Sequence, residues 1–210
     1  MRLLKLIYRY TQPHPAQCIL SLLLSFIRGH RSHALKVVNV RPESIVRWLT
    51  PKEDPGIAHS WPGEVMDGDW HLRAKSTVHH RDYRDIDYLK QRAIVERFDE
   101  GRPWRDTMLF VNHYNDLITS RRIRGKTSIS ELETHYCVYD NLYKDIMING
   151  IRVPTLRDPD PTFIHVHMGP DGEVIASDNG NHRIAIAKYL QLPSIPVKVL
   201  RKHKRCTSFP

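Results

Sequence analysis

The fold is decided by residues 163–200, which read FIHVHMGPDGEVIASDNGNHRIAIAKYLQLPSIPVKVL. Apolar residues alternate with others from Phe163 to Met168, which predicts a β-strand. Gly169-Pro170-Asp171-Gly172 is a typical turn sequence, and Glu173 to Ser177 then predicts the partner strand of a β-hairpin.

The hairpin is followed by the loop Asp178-Asn179-Gly180-Asn181-His182-Arg183, a predicted helix from Asn181 to Leu190 and a last predicted strand from Ile195 to Leu200. A strand that ends in a glycine turn and runs directly into a helix leaves the first amide groups of that helix without partners inside the helix. The positive end of the helix dipole lies behind these amides, and such a corner binds phosphate. A loop of this kind can also cap a helix without any ligand.

Several side chains of this loop suit an anionic ligand. Gly180 lets the backbone come close to an anion, while His182 and Arg183 add side-chain donors. Arg183 is able to hold two phosphate oxygens at once. Asp178, directly before the turn, could orient a neighbouring donor or bind a magnesium ion.

The composition limits the class of protein. A chain of 210 residues is long enough for one well-packed domain, or for one domain with a helical extension. The formal net charge of +9 favours anionic partners such as nucleotides, nucleic acid or acidic membrane surfaces. Three cysteines without a CxxC pair fit a reducing cytoplasm. The apolar run from Ile19 to Ile27 is only about half as long as a membrane-spanning helix, so no transmembrane segment is expected.

The N-terminal part of the chain predicts a helix, a strand and a long loop. The helix runs from Ala16 to Arg28, and Leu35 to Val40 reads as a short buried strand that opens the main fold. From Thr50 to Gly68, closely spaced prolines and glycines predict a long loop without a regular element.

The central part predicts three helices. The first runs from Asp82 to Phe98, and Pro103 is well placed to open the second. The apolar stripe predicted for the second helix consists of Trp104, Met108, Val111 and Ile118. Ser128 and Glu131 have the spacing of a capping box at the start of the third helix, which Asn149-Gly150 ends. The apolar residues of this third helix, interpreted as core, are Leu132, Tyr136, Tyr139, Tyr143 and Ile146.

A second segment whose side chains could take part in catalysis or metal binding is Asp67-Gly68-Asp69-Trp70-His71. Its two carboxylates, Asp67 and Asp69, could hold magnesium against a nucleotide or serve as a general base for an incoming hydroxyl. The alternative is a tight turn with Trp70 as an anchor in the core.

Histidines and C-terminal cations give weaker signals. His165 and His167 project from one face of the predicted strand, where a metal could bridge them, but a position facing solvent or a polar interface is the preferred interpretation.

Residues 202–210 are expected to form a basic tail. The cations interpreted as part of a solvated tail are Arg201, Lys202, Lys204 and Arg205.

The wider string from Asp178 to Leu190, followed by Pro193 and by Ile195 to Val199, resembles the D-G-x-H-R-x-x-A-x-x-x-L-G-x-x-x-I-P-V signature of the ParB/sulfiredoxin superfamily. The resemblance covers about residues 163 to 201, and Val37 to Val40 with Pro42 looks like the family's opening strand. It implies a site for the phosphates of ATP or another nucleotide at Gly180, Asn181, His182 and Arg183.

This chain differs from known members of the superfamily at several positions, and these differences exclude some of the reactions that the superfamily carries out. Sulfiredoxins carry a catalytic cysteine immediately before the His-Arg pair, where this chain has Asn181, so sulfinic-acid reduction is not expected. Partition proteins place a helix-turn-helix region after this domain, and only about ten residues follow the last predicted strand here. In the free-serine kinases of the superfamily an acidic residue near the opening strand acts as the base, and Glu43 is the loosely comparable residue. Glu43 could instead be the first-turn acid of a short helix that begins after Pro42.

The predicted fold is α+β, a small mixed sheet of the ParB/sulfiredoxin type with a helical N-terminal extension and a helical insert. The predicted organisation is an extension at 1–34, one domain at 35–201 with its insert at about 82–150, and the tail.

The predicted function is nucleotide-dependent phosphoryl transfer, by a small-molecule kinase or an NTPase. Magnesium would be bound by Asp178 or by Asp67 and Asp69, and an acid among Glu43, Asp67 and Asp69 would activate an unidentified small-molecule acceptor. The alternatives are a nucleic-acid-binding or nuclease-like protein and a non-catalytic nucleotide sensor. The oligomeric state is left open.

Overall fold

The computed structural model of the chain describes residues 37–59, 64–76, 86–120, 122–123, 125–153 and 163–207. The helix predicted from Ala16 to Arg28 lies outside these residues. The chain divides into two compact units. The sheet unit comprises Met1–Val78, Arg152–Gly180 and Pro193–Pro210, and the helical unit comprises His79–Ile151 and Asn181–Leu192.

All seven strands of the described residues lie in the sheet unit and form one sheet. They are β1 (Val37–Val40), β2 (Arg47–Trp48), β3 (Glu64–Met66), β4 (Lys75–Ser76), β5 (Ile164–Met168), β6 (Val174–Ala176) and β7 (Ile195–His203). Their order is β1-β7-β5-β6-β2-β4, and β3 also pairs with β7. Parallel pairs such as β5 with β7 occur beside antiparallel pairs such as β1 with β7. The predicted combination of a mixed sheet with helices is therefore confirmed.

The strand β7 pairs with three others, namely β1, β5 and β3. Its β-branched residues Ile195, Val197 and Val199 are buried, and such residues at alternate positions favour a strand. The strand continues past its predicted end at Leu200 to His203, because β3 supplies a parallel partner for its last residues.

The strand β3 contradicts the prediction that Thr50 to Gly68 contains no regular element. This stretch includes both β3 and a 3-10 turn at Pro55–His59. Glu64 of β3 pairs with Arg201, which lies 137 residues further along the chain. A strand this short, held by so distant a partner, leaves little local signal in the sequence.

The predicted hairpin is confirmed by β5 and β6, which pair antiparallel with Val166 opposite Ala176. Its turn is closed by a hydrogen bond of 3.2 Å from the Gly172 amide to the Gly169 carbonyl oxygen. Gly172 has a φ of +81°, a backbone conformation that favours glycine.

The helical unit holds the four α-helices of the described residues. They are α1 (Ile86–Phe98), α2 (Met108–Ser120), α3 (Ile129–Asn149) and α4 (Asn181–Tyr189). One core joins them, to which they contribute Leu89, Leu109, Leu132 and Ile186, respectively. No helix of the described residues is both long and apolar enough to cross a membrane.

The start of α3 confirms the predicted capping box. The Ser128 hydroxyl oxygen accepts a hydrogen bond of 3.2 Å from the Glu131 amide, and the Glu131 carboxylate accepts one of 2.8 Å from the Thr127 amide. At the other end, Gly150 has a φ of +67° and donates to the Ile146 carbonyl oxygen at 2.8 Å. The expected core residues of α3 are buried, except Tyr143, which is half-buried.

The predicted stripe of the second helix is wrong. Trp104 lies in a separate 3-10 turn, and Val111 and Ile118 of α2 are exposed, at 45% and 60%. The helix begins only at Met108, whose amide donates to the buried Glu96 carboxylate at 2.9 Å. Because the turn and the helix differ in helical phase, spacing counted from Trp104 selects the wrong face. The buried face of α2 consists of Leu109, Phe110, His113 and Leu117.

Replacing Ser128 by alanine removes the acceptor for the Glu131 amide, so we expect Ser128→Ala to lower the free energy of unfolding by about 1 kcal/mol. Ser130→Ala is the matched control, because Ser130 is exposed in the first turn of the same helix and alanine has the higher helix propensity. Urea denaturation followed by circular dichroism measures both variants. Equal losses of stability in the two variants would contradict the capping role.

Candidate phosphate-binding site

The helix α4 begins at Asn181, as predicted, directly after Gly180 in the chain. Its first turn therefore contains Asn181, His182 and Arg183, and all three side chains are half-buried. The amides of a helix's first turn have no acceptor inside the helix, and the helix dipole makes this end positive. The first turn of α4 thus combines the backbone and side-chain donors that a phosphate group requires.

Gly180 has a structural reason to be glycine. Its φ is +92°, and a Cβ atom there would lie 2.8 Å from the Ile164 Cα atom and 2.9 Å from its Cγ1 atom. The preceding residues follow β5, because the His165 amide donates to the Asn179 carbonyl oxygen at 3.2 Å and the Ser177 amide donates to the His165 carbonyl oxygen at 3.0 Å. Packing against β5 thus accounts for the glycine, and its predicted role in anion binding remains a prediction.

Asp178, predicted to bind magnesium or orient a donor, is exposed in the sheet unit. The hydroxyl group of the buried Ser177 donates a hydrogen bond of 3.1 Å to its Oδ1 atom. This contact fixes one carboxylate oxygen at the surface, directly before the glycine.

The imidazole of His182 stacks on the ring of Tyr139 from α3, with centroids 4.0 Å apart and planes 23° from parallel. The Tyr139 hydroxyl is 3.1 Å from the Nε2 atom of His135. Tyr139 is 8% exposed, so its interpretation as a core residue is confirmed. Its contact with His182 was missed, because the two residues lie on different helices and no local pattern connects them.

The rest of α4 anchors this first turn within the helical unit. Ile184, Ala185, Ile186 and Ala187 are all buried, and Ala185 and Ile186 belong to the shared helical core. A functional group carried on a well-packed helix is held more rigidly than one on a loop. The donors of Arg183 and His182 therefore project from a fixed element.

The segment from Asp67 to His71 agrees with the second interpretation of its sequence, a tight turn with Trp70 anchored in the core. Gly68 has a φ of +86°, Trp70 is only 5% exposed, and Asp67 and Asp69 are both exposed. A hydrogen bond from the Gly68 amide, followed by the charge of Lys204, lowers the pKa of Asp67 below its ordinary value. The lowered pKa favours the ionised form of Asp67, whose Oδ2 atom lies 3.5 Å from the Lys204 Nζ atom.

Glu43, the other predicted acid, is exposed in a 3-10 turn, Pro42–Ser44, that follows β1. This is the position of a first-turn acid, which interacts favourably with the start of a helix. No group of three or more His, Cys, Asp or Glu residues that could hold a metal ion occurs in the described part of the chain. Magnesium bound by one or two carboxylates and by phosphate oxygens does not need such a group.

His167 departs from its predicted position, because it is fully buried rather than facing solvent or a polar interface. Its ring lies 6.1 Å from that of Trp70, edge to face. Trp70 also contacts the rings of His71 and His203, at 5.9 Å and 6.3 Å. We call Trp70, His71, His167 and His203 the ring cluster.

Arg201 also departs from its prediction as part of a solvated tail, because its side chain is only 3% exposed within β7. Its Nε atom donates to a Glu64 carboxylate oxygen at 2.8 Å, and a second nitrogen lies 3.6 Å from an Asp54 carboxylate oxygen. A third nitrogen donates to the Gly56 carbonyl oxygen at 3.1 Å. The alternation of β7, continued past Leu200, is the sequence signal that could have indicated this burial.

Comparisons with known proteins do not assign the chain to a family. Neither the protein-family models, nor the curated proteins, nor the solved structures gave a significant match. The description of the fold therefore depends only on the strands and helices of this chain. The resemblance of the 178–183 loop to the ParB/sulfiredoxin superfamily remains a prediction from the sequence.

Replacing Gly180 by alanine adds a Cβ atom in contact with Ile164 and places alanine at a positive φ. We expect Gly180→Ala to lower the free energy of unfolding by about 2–5 kcal/mol, from backbone strain and overpacking together. Gly68→Ala is the matched control, because Gly68 has a similar φ of +86° and no atom within 4 Å of the added Cβ. Gly68→Ala should lower the free energy of unfolding by about 1–2 kcal/mol. Denaturant unfolding that gives the same loss for both would refute the close packing against β5.

Proposed function

We propose that this chain is a nucleotide-binding protein of the ParB/sulfiredoxin type, in which the loop from Asp178 to Arg183 holds the phosphates. The observation that carries the proposal is the start of α4 directly after Gly180, with His182 and Arg183 in its first turn. The sequence resemblance supports the same residues. Amide groups, an imidazole and a guanidinium at the positive end of a helix are suitable donors for a phosphate.

In this proposal each residue has a defined role. The amides of Asn181 to Arg183 bind phosphate oxygens, and the Arg183 guanidinium donates to two oxygens of one phosphate group. His182, supported by its stacking on Tyr139, donates from its ring. Asp178 binds magnesium, or the pair Asp67 and Asp69 does so. The net charge of +9 favours the approach of a polyanionic nucleotide.

The reaction that we propose is transfer of a phosphoryl group from the nucleotide to a small-molecule acceptor or to water. Catalysis of this kind depends mainly on positioning and on neutralising charge, and demands little from a general base. Exposed carboxylates at Glu43 and Asp69 are the candidates for contacting an acceptor hydroxyl. Asp67, which is also exposed, is the third candidate for this contact.

Arg183→Ala tests the proposed site, because it removes the bidentate donor but leaves the buried body of α4 intact. We expect the variant to keep its circular dichroism spectrum and to lose at least about 10-fold in affinity for the nucleotide. Arg105→Ala is the matched control, because it removes the same charge from a side chain that is 71% exposed on the helical unit. A thermal-shift screen against ATP, ADP, CTP and GTP, with and without magnesium, selects the nucleotide.

Unchanged nucleotide affinity in Arg183→Ala would eliminate the loop as the site. Binding without any turnover would favour the alternative of a nucleotide sensor over an enzyme. The absence of stabilisation by any of the nucleotides would contradict the proposed function itself.

A second candidate function is binding of DNA or RNA, in which the same loop contacts a backbone phosphate. The observation that favours it is the net charge of +9. Binding of this kind releases counterions from the nucleic acid and therefore weakens steeply as salt rises.

Salt dependence distinguishes this candidate from nucleotide binding. If nucleic acid is the partner and the protein contacts about six phosphates, the affinity for a short duplex should fall about 1,000-fold between 50 and 200 mM salt. Fluorescence anisotropy of a labelled duplex measures the slope. Absent binding, or binding that does not change with salt, would remove this candidate.

A further inference from the structure

The ring cluster of the sheet unit contains a buried histidine with no hydrogen bond in the described part of the chain. Neither ring nitrogen of His167 has a hydrogen-bond partner there, and the residue is fully buried. A neutral imidazole always carries one donor and one acceptor, so burial without partners leaves both groups unsatisfied. Such burial costs free energy even before any charge is considered.

The charged and titratable groups facing His167 make a proton there unfavourable. Arg201 of β7 and His165 of β5 both act on it electrostatically, and burial adds the largest effect. The 3-10 turn Trp70–Arg73 contributes His71 to the cluster, and β7 contributes His203. The residues of the neighbouring strand β6, Val174–Ala176, are all apolar. The carboxylates of Asp54 and Glu64 contact Arg201 rather than the imidazole. Burial, followed by the charge of Arg201, lowers the pKa of His167 from 6.5 to about 3.

The segment from Glu64 to Arg73 covers His167. The ring of Trp70 lies 6.1 Å from the imidazole, edge to face, and Trp70 follows β3 by only a few residues. The strand β3 has three residues and pairs with β7 alone, and side chains add the contacts of Glu64 with Arg201 and of Arg47 with the His71 carbonyl oxygen. Displacing the segment would break these contacts and bring water to the buried ring.

We propose that the sheet unit contains an acid-sensitive latch, in which the segment from Glu64 to Arg73 covers neutral His167 and proton uptake by His167 favours the opening of this segment. The closed state binds no proton at His167 until the pH approaches 3, whereas the opened state binds one below 6.5. The closed state therefore loses stability progressively as the pH falls from 6.5 towards 3. This latch does not depend on nucleotide binding.

Hydrogen exchange measured by mass spectrometry at pH 7.5 and pH 5.0, corrected for intrinsic exchange rates, tests the latch in the full chain. One proton taken up with an ordinary histidine pKa should raise the opening constant of residues 64–73 about 30-fold between these pH values. Peptides from α3 serve as the internal reference and should not show this rise.

Variants at His167 assign the effect to this residue. His167→Gln and His167→Met fill a similar volume without a titratable group, so the acid-dependent rise should vanish in both, and either variant suffices if the other does not fold. His165→Gln is the matched control on the same strand and should keep the rise. The proposal is overturned if the wild type shows no rise in residues 64–73, if α3 rises equally, or if the His167 variants keep the effect.

Discussion

The ion pairs of Arg201 are the interaction on which much of the sheet unit depends. A guanidinium buried within β7 is tolerated only if carboxylates and carbonyl groups compensate the loss of its hydration. Glu64 of β3, Asp54 and the Gly56 carbonyl supply this compensation from one region of the chain. These contacts attach the stretch before Trp70 to the last strand of the fold, although the stretch itself has little strand character. The guanidinium of Arg201 also lies over the ring of Trp70, with its Cζ atom 5.5 Å from the ring centroid.

Each unit places a packing constraint on its own part of the segment from Asp178 to Arg183. In the sheet unit, Gly180 packs against Ile164 so closely that no side chain fits between them. In the helical unit, the buried residues of α4 hold the helix whose first turn carries His182 and Arg183. Packing requirements are therefore met on both sides of Gly180.

Features set by neighbouring residues could be predicted from the sequence. The capping box at Ser128, the hairpin turn at Gly172 and the start of α4 at Asn181 are such features, and the structure confirms them. Their geometry depends on residues within one turn of each other, so local spacing is sufficient. The first turn of α4, and with it the candidate loop, was predicted for the same reason.

Features set by distant partners could not be predicted in this way. The strand β3 exists because of a partner 137 residues away, and Arg201 is buried because Glu64 neutralises it. The contact between Tyr139 and His182 likewise joins two helices that the sequence alone does not bring together. The buried face predicted for α2 was wrong because a 3-10 turn precedes the helix, and this turn does not continue the period of the α-helix.

A nuclear magnetic resonance titration of the ¹⁵N-labelled chain with ATP and magnesium tests the central claim most directly. The account predicts saturable shifts of the backbone amide signals of Gly180, Asn181, His182 and Arg183, larger than those of a distant helix-end amide such as Gly150. Addition of inorganic phosphate should shift the same signals at higher concentration. Shifts confined to other parts of the chain, or no saturable shift in these four amides with any nucleotide, would contradict a phosphate site at the start of α4.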